Sequence, residues 1–213
     1  GILVSRSGSF SQAIKSLSSK SLKALYSMKN ALYSAKEVSM SLHLSSFDTL
    51  IKPILLYASE IWGQDLLHNK THILQKFANN NSELERVHMR FCKKLLGVNQ
   101  TTTNLAVRSE LGRNPMICSV IYNVIKFFIR LEGMPNNRLV KRAYDQTKNK
   151  KFSLYNISKH LMTLTDINLT TYNLNNRSDR DTLYKLFVSK FDTLVEEEWY
   201  SLLNSDTGPT GQR

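Results

Sequence analysis

The chain has 213 residues, of which 41% are hydrophobic and 22% charged, the composition of a globular protein with one or two domains and one sizeable core. Only 8 Gly and 4 Pro are present, too few for a turn-rich sandwich or barrel, so the fold class is predicted to be mainly α. The net charge is +12, and it is uneven: residues 1–151 carry 23 Lys and Arg against 9 Asp and Glu, residues 152–213 carry 6 against 8, which directs the first two thirds toward a polyanion.

Residues 1–10 begin as a short apolar strand candidate and pass into a Ser/Gly-rich turn. A helix is predicted over 11–36. At ~100° per residue, Ala13, Ile14, Leu17, Ala24, Leu25, Met28, Ala31, Leu32 and Ala35 share one face, and Lys15, Lys23, Tyr26 and Tyr33 the opposite one. Ser45 or Ser46 is the expected cap of a second helix over 47–62, with a kink or break at Pro53, whose ring clashes with the preceding turn. Gly63 is expected to end that pattern, and Asn79-Asn80-Asn81 to form a loop.

Ser82 and Glu85 are spaced as a capping box, with Glu85 reaching back to the Ser82 amide. The helix they open runs to Leu96 and stops at Gly97, with Leu84, Val87, Phe91 and Leu95 as its apolar stripe. A short helix over 104–111 ends at Gly112. Pro115 opens another to about 131, apolar nearly all round and therefore the central core helix. Its interruptions Ser119, Asn123, Lys126 and Arg130 make it too polar, and its length too short, to span a bilayer, so no membrane partner is expected. A basic helix over 136–144, a polar loop over 146–151, a helix over 153–162 and a long one over 178–203 complete the pattern. The last has Leu183, Leu186, Phe187, Lys190, Leu194 and Trp199 at helical spacing. The tail, 204–213, is expected to be disordered.

Three basic groups stand out. Arg86, Arg90, Lys93 and Lys94 fall within about a 100° arc of one helix, a stripe able to track a phosphate backbone. The alternative is a solvated face with Glu83 pairing Arg86. Lys15 and Lys23 with Tyr26 and Tyr33 suit single strands or a hybrid duplex, the lysines meeting phosphate and a tyrosine stacking on bases or sugars. The alternative is tyrosines packed on a neighbouring element. Arg138, Lys141, Arg142, Lys148, Lys150 and Lys151 are opposed in the sequence only by Asp145 and read first as a solvated face.

Catalytic and metal chemistry find no support. There is no adjacent Asp pair of the kind that holds two metal ions, no nucleophile elbow and no phosphate-binding glycine loop. His68 and His72 are one turn apart but lack completing ligands, Glu196-Glu197-Glu198 point apart on a helix, and no cofactor is expected. Cys92 and Cys118 read as buried thiols in a reducing compartment, and His88 as a core histidine. An opening without Met suggests a piece of a longer chain.

Two stretches carry a resemblance. One is 47–63, with Pro53-Ile54-Leu55-Leu56-Tyr57, Glu60 and Trp62-Gly63. The other is 84–115, with Glu85, His88, Phe91-Cys92-Lys93, Leu96-Gly97 and Glu110-Leu111-Gly112-Arg113-Asn114-Pro115. Together with Gly1-Ile2-Leu3 and Gly8-Ser9-Phe10, their order and spacing resemble the region downstream of the palm in non-LTR (LINE-type) retrotransposon reverse transcriptases, over roughly 1–131. The resemblance implies a parent protein with an endonuclease and a palm bearing Tyr-x-Asp-Asp, neither present here, so no catalytic residue carries over. Some relatives end in a zinc knuckle, and this chain has none.

It implies a helical bundle acting as a thumb, with 1–40 as the palm–thumb junction and first helix, 41–151 as a basic helical core, and 152–213 as a helical extension. The expected partners are RNA template or RNA–DNA hybrid and the palm of the parent chain, in an intracellular ribonucleoprotein of nucleus or cytoplasm. The expected contacts are Lys15, Lys23, Arg86, Arg90, Lys93 and Lys94, with Tyr26 as a stacking group. The rivals are a bracing or protein-binding helical module, and a degenerate transposon remnant.

Overall fold

The computed structural model describes residues 1–6, 8–33, 38–67, 82–150 and 153–205, without the side chains of 31–33 and 205. The protein is mainly α-helical, with no strand among the described residues. It divides into two compact units, Gly1–Ala58 with Asn80–Ser119, and Ser59–Asn79 with Val120–Arg213. These group the chain by packing, not by the consecutive segments 1–40, 41–151 and 152–213.

In the first unit, the described residues of 1–10 form no strand. Gly8 takes φ 78° and its amide donates to the Ser5 carbonyl, so the Ser/Gly stretch is a turn, and the apolar opening has no strand beside it to pair with. Helix α1 (Ser11–Tyr33) follows, with Ala13, Ile14, Leu17, Leu25 and Met28 buried as predicted. The side chains of Ala31, Leu32 and Tyr33, and all of Ala35, lie outside the described residues.

The second helix begins earlier than its expected cap. Ser39 accepts from the Leu42 amide and opens α2 (Met40–Ser46), whereas Ser45 lies inside the helix and donates to the Leu42 carbonyl. A wide π turn, Phe47–Ile51, leads into α3 (Lys52–Leu55). The turn is Pro53's doing: proline has no amide to bond the previous turn and its ring crowds the carbonyl there, so the backbone widens, the Lys52 amide bonding the Phe47 carbonyl. The helical path breaks at 56–58, where Ala58 adopts φ 54°, a left-handed conformation costing a residue with a Cβ roughly 1–2 kcal/mol.

Helix α5 (Glu83–Leu95) and helix α6 (Asn104–Leu111) keep their predicted ends. Gly97 and Gly112 take φ 69° and 59°. After each, the chain closes with paired bonds: Val98 and Gly97 amides to the Lys93 and Lys94 carbonyls, Arg113 and Gly112 amides to those of Arg108 and Ser109. Helix α1 packs against α3 and α5, and α5 against α6. At the centre Phe47 is fully buried, stacked on Phe91 with ring centroids 4.4 Å apart, a burial worth roughly 1.5–3 kcal/mol.

In the second unit, α4 (Ser59–Leu67) carries the fully buried Trp62. Gly63 does not end this helix; it is buried within it. A Cβ there would lie 2.6 Å from Val120 Cγ1 and 2.9 Å from Val124 Cγ2, so glycine is required for close approach. Helix α7 (Met116–Glu132) is the predicted apolar core helix, with Val120, Ile121, Val124, Ile125 and Phe128 fully buried. Helices α8 (Leu139–Thr147), α9 (Leu154–Leu164) and α10 (Arg177–Ser205) follow, α9 packing against α4. Helix α10 buries Leu183, Phe187, Phe191 and Val195, a straight i, i+4 row, while Leu186, Leu194 and Trp199 are half-exposed. His68, His72, the three-asparagine stretch at 79–81, Lys151 and the tail at 206–213 lie outside the described residues. No described helix is long and apolar enough to cross a membrane.

Candidate nucleic-acid interface

Tyr26 of one predicted group and Arg90 and Lys94 of the other come together in the first unit. Helices α1, α2 and α5 enclose a cleft of about 950 Å³. Tyr26 and Lys29 enter it from α1, His43 from α2, Arg90 and Lys94 from α5, and no Asp or Glu lines it among the described residues. Its remaining wall is largely apolar, with Met28, Met40, Phe91, Leu95 and Val98.

Tyr26 is the organising side chain. Its ring is 47% exposed, its hydroxyl accepts from Arg90 Nη1 at 3.3 Å, and Lys94 Nζ stands 6.0 Å from the ring centroid. The Lys29 ammonium beside Lys94 holds the Lys94 pKa below the usual lysine value. Two like charges brought together repel.

The other expected contacts separate. Lys15 and Lys23 are exposed on α1 but do not line the cleft; at 1.5 Å rise per residue Lys15 lies ~16 Å along the axis from Tyr26. Arg86 faces solvent and pairs with Glu83 at 3.1 Å, the solvated-face arrangement. Lys93 is only 7% exposed. Beyond Gly97 the chain doubles back, and Lys93 Nζ donates to the Gln100 carbonyl at 2.8 Å. That loop, which a helical wheel does not contain, takes Lys93 out of the stripe.

Lys29 was overlooked, although the signal was present: at ~100° per residue it sits about 60° from Tyr26 on the same face. His43 carried no signal, because α2 itself was not predicted as a helix.

In the basic group around α8, Lys141 and Lys148 are paired with acids within the second unit. Lys148 Nζ lies 3.0 Å from Glu132 and 3.3 Å from Asp145, and Lys141 Nζ lies 3.3 Å from Asp145 and 3.9 Å from Glu132. Glu132, at the end of α7, is the acid the local reading left out. Arg138, Arg142 and Lys150 are exposed.

Beneath the cleft's helices lies a second charged cluster, and it is structural. Glu85 is 1% exposed. Its carboxylate accepts from Arg108 Nη2 at 2.6 Å, from His88 Nδ1 at 3.3 Å and from the Met116 amide at 2.8 Å, so half the capping box holds, the Ser82 hydroxyl accepting from the Glu85 amide, while the carboxylate ties α5 to α6 and to the start of α7. Burial opposes the charge on Glu85, and His88 and Arg108 outweigh it and lower its pKa. Arg113 grips Asp48 through two bonds of 2.6 and 2.7 Å, which lower the Asp48 pKa. The Cys92 thiol is buried, and burial pushes its pKa up to about 12, so it is not a nucleophile. Cys118 is likewise a buried thiol. No group of three or more His, Cys, Asp or Glu among the described residues is placed to hold a metal ion.

Comparison with models of protein families, with curated proteins and with solved structures finds no match to this chain.

Proposed function

We propose that this chain is a non-catalytic, thumb-like segment of a LINE-type reverse transcriptase, and that it grips RNA template or RNA–DNA hybrid for a palm carried elsewhere in the parent protein. The family part of the reading rests on the ordered motifs at 47–63 and 84–115. The binding part rests on one observation: Arg90 and Lys94 converge on the exposed Tyr26 in a cleft without a carboxylate among its described residues. Each cation that meets a phosphate releases a condensed counterion, so the grip is strong at low salt and indifferent to sequence.

The test is fluorescence anisotropy of the purified chain with a labelled RNA–DNA hybrid and with its RNA strand, across a salt series. The comparison variant is Arg90→Glu with Lys94→Glu, which leaves Lys93 in its structural place. Binding that falls steeply with salt and is largely abolished in the variant is the expected result. A folded chain that binds neither nucleic acid at low salt contradicts the reading. It would favour the bracing module, for which the exposed Leu42, Leu50 and Tyr57 of the first unit offer apolar contact surface.

A further inference from the structure

We infer that the second unit carries a phosphate-binding cleft of its own, in which Lys126 and Arg130 of α7 take the backbone of an RNA strand. This rests on the proposed function and adds to it a site that none of the expected contacts included.

Helix α7 is the core helix, and of its 17 residues only Lys126 and Arg130 are exposed. They are one turn apart, ~6 Å along the axis and on one side of the helix, so the core helix reaches solvent at two cations and nowhere else. Both line a cleft of about 650 Å³ with Glu60 of α4 and Arg177, Arg180, Asp181 and Tyr184 of α10, four cations against two acids. The acids do not neutralise the α7 pair. Asp181 stands 3.9 Å from Arg177, and Glu60 forms no ion pair among the described residues. Arg180 is engaged elsewhere, donating to the Leu174 and Asn175 carbonyls at 2.7 and 3.2 Å. Lys126 Nζ lies 5.6 Å from the Tyr184 ring centroid, a contact that positions an ammonium without cancelling its charge. The Arg130 guanidinium makes no hydrogen bond or ion pair among the described residues. The first unit repeats this arrangement. Arg90 and Lys94 are also four residues apart on one helix, and Lys94 Nζ is 6.0 Å from the ring centroid of a tyrosine on another helix. In each unit two exposed cations one turn apart can therefore each meet a phosphate, and neither pair needs a particular base.

The test uses the full 213-residue chain and a labelled single-stranded RNA, with the folding of each variant checked by circular dichroism and thermal melting. Lysine acetylation, read by mass spectrometry, is compared for the chain alone, with saturating RNA, and with poly-glutamate in place of RNA. RNA is expected to slow acetylation of Lys126 several-fold and to leave that of Lys185, exposed and outside the cleft, unchanged. In a salt series, Lys126→Met with Arg130→Met should weaken RNA binding about tenfold at low salt and reduce the slope of log Kobs against log salt by about 1.4. Lys20→Met with Lys185→Met, which removes the same charge outside both clefts, should bind nearly as the wild type does. Lys126 acetylated as fast with RNA bound as without it overturns this inference and leaves the first cleft standing, as does a control variant that loses as much affinity as the α7 variant. Protection of Lys126 by poly-glutamate and not by RNA overturns it in favour of an acidic protein segment. A folded wild-type chain that binds no RNA at low salt overturns both this inference and the proposed function.

Discussion

Helix α5 carries Arg86, Arg90, Lys93 and Lys94, and helix α8 with its flanks carries Arg138, Lys141, Arg142 and Lys148. The two runs have similar composition, and their lysines meet different surroundings. Burial works against the charge on Lys148, but Glu132 and Asp145 outweigh it and raise its pKa, whereas the neighbouring Lys29 lowers that of Lys94. The difference lies in where the acids went. Around α8, Glu132 reaches across from α7 and accepts Lys141, Lys148 and the Tyr144 hydroxyl together. On α5, Glu83 takes only Arg86, and Glu85 turns inward to Arg108. Arg90 and Lys94 stand instead beside the Tyr26 ring. A run of lysines and arginines therefore says little about available charge until the acids from other elements are placed.

The comparison breaks most severely at the inward acid. Arg108→Met leaves Glu85 buried without its main counter-charge, and is expected to cost roughly 3–5 kcal/mol in urea unfolding. A loss within experimental error would mean that the cluster does not hold α5 to α6. Glu132→Gln removes the acid shared by Lys141, Lys148 and Tyr144, with an expected loss of about 1–3 kcal/mol. The same change adds one net positive charge, so it should also raise the affinity for RNA at low salt; unchanged affinity would show that Lys141 and Lys148 take no part in binding.

Acid sharpens the contrast further. Glu85 and Asp48 have pKa values below the ordinary 4.5 and 3.8. Their stabilisation is therefore complete above those ordinary values and is lost as pH falls through the lower, folded ones. Unfolding free energy should be flat from pH 7 to about 5 and decline below, less steeply in Arg108→Met. A decline centred at neutral pH would point to other groups. The smallest effect is expected at the cleft itself: Lys94→Met should leave stability within about 0.5 kcal/mol, while RNA affinity falls. A large loss of stability there would make Lys94 structural, like Lys93.

Much of the fold was legible because its signals are local. Ser82, Gly97 and Gly112 end helices by backbone geometry that depends only on neighbours, and the all-round apolar character of 116–131 fits only a core helix. What escaped depends on distant partners. Gly63 reads as a stop, yet it is needed because α7 brings Val120 and Val124 against it. Ser45 has the chemistry of a cap, but Ser39 lies where the chain enters the helix. Lys93 belongs to the stripe on a wheel and leaves it when Gln100 folds back. The motif residues Glu85, His88 and Arg113 prove to be the ion pairs and contacts of the first unit's interior, so the most recognisable stretch of the sequence describes scaffold. The cleft had to be assembled from α1 and α5, with Lys29 on a face already read as basic and α2 not foreseen.

The central claim is that Arg90 and Lys94 meet phosphate beside Tyr26, and the salt dependence of single-strand RNA binding tests it most directly. Plotting log Kobs against log salt for the wild type and for Arg90→Met with Lys94→Met should give lines whose slopes differ by about 1.4, two phosphate contacts at roughly 0.7 each on a single strand, at unchanged melting temperature. Parallel lines would place the bound phosphates elsewhere and contradict the account.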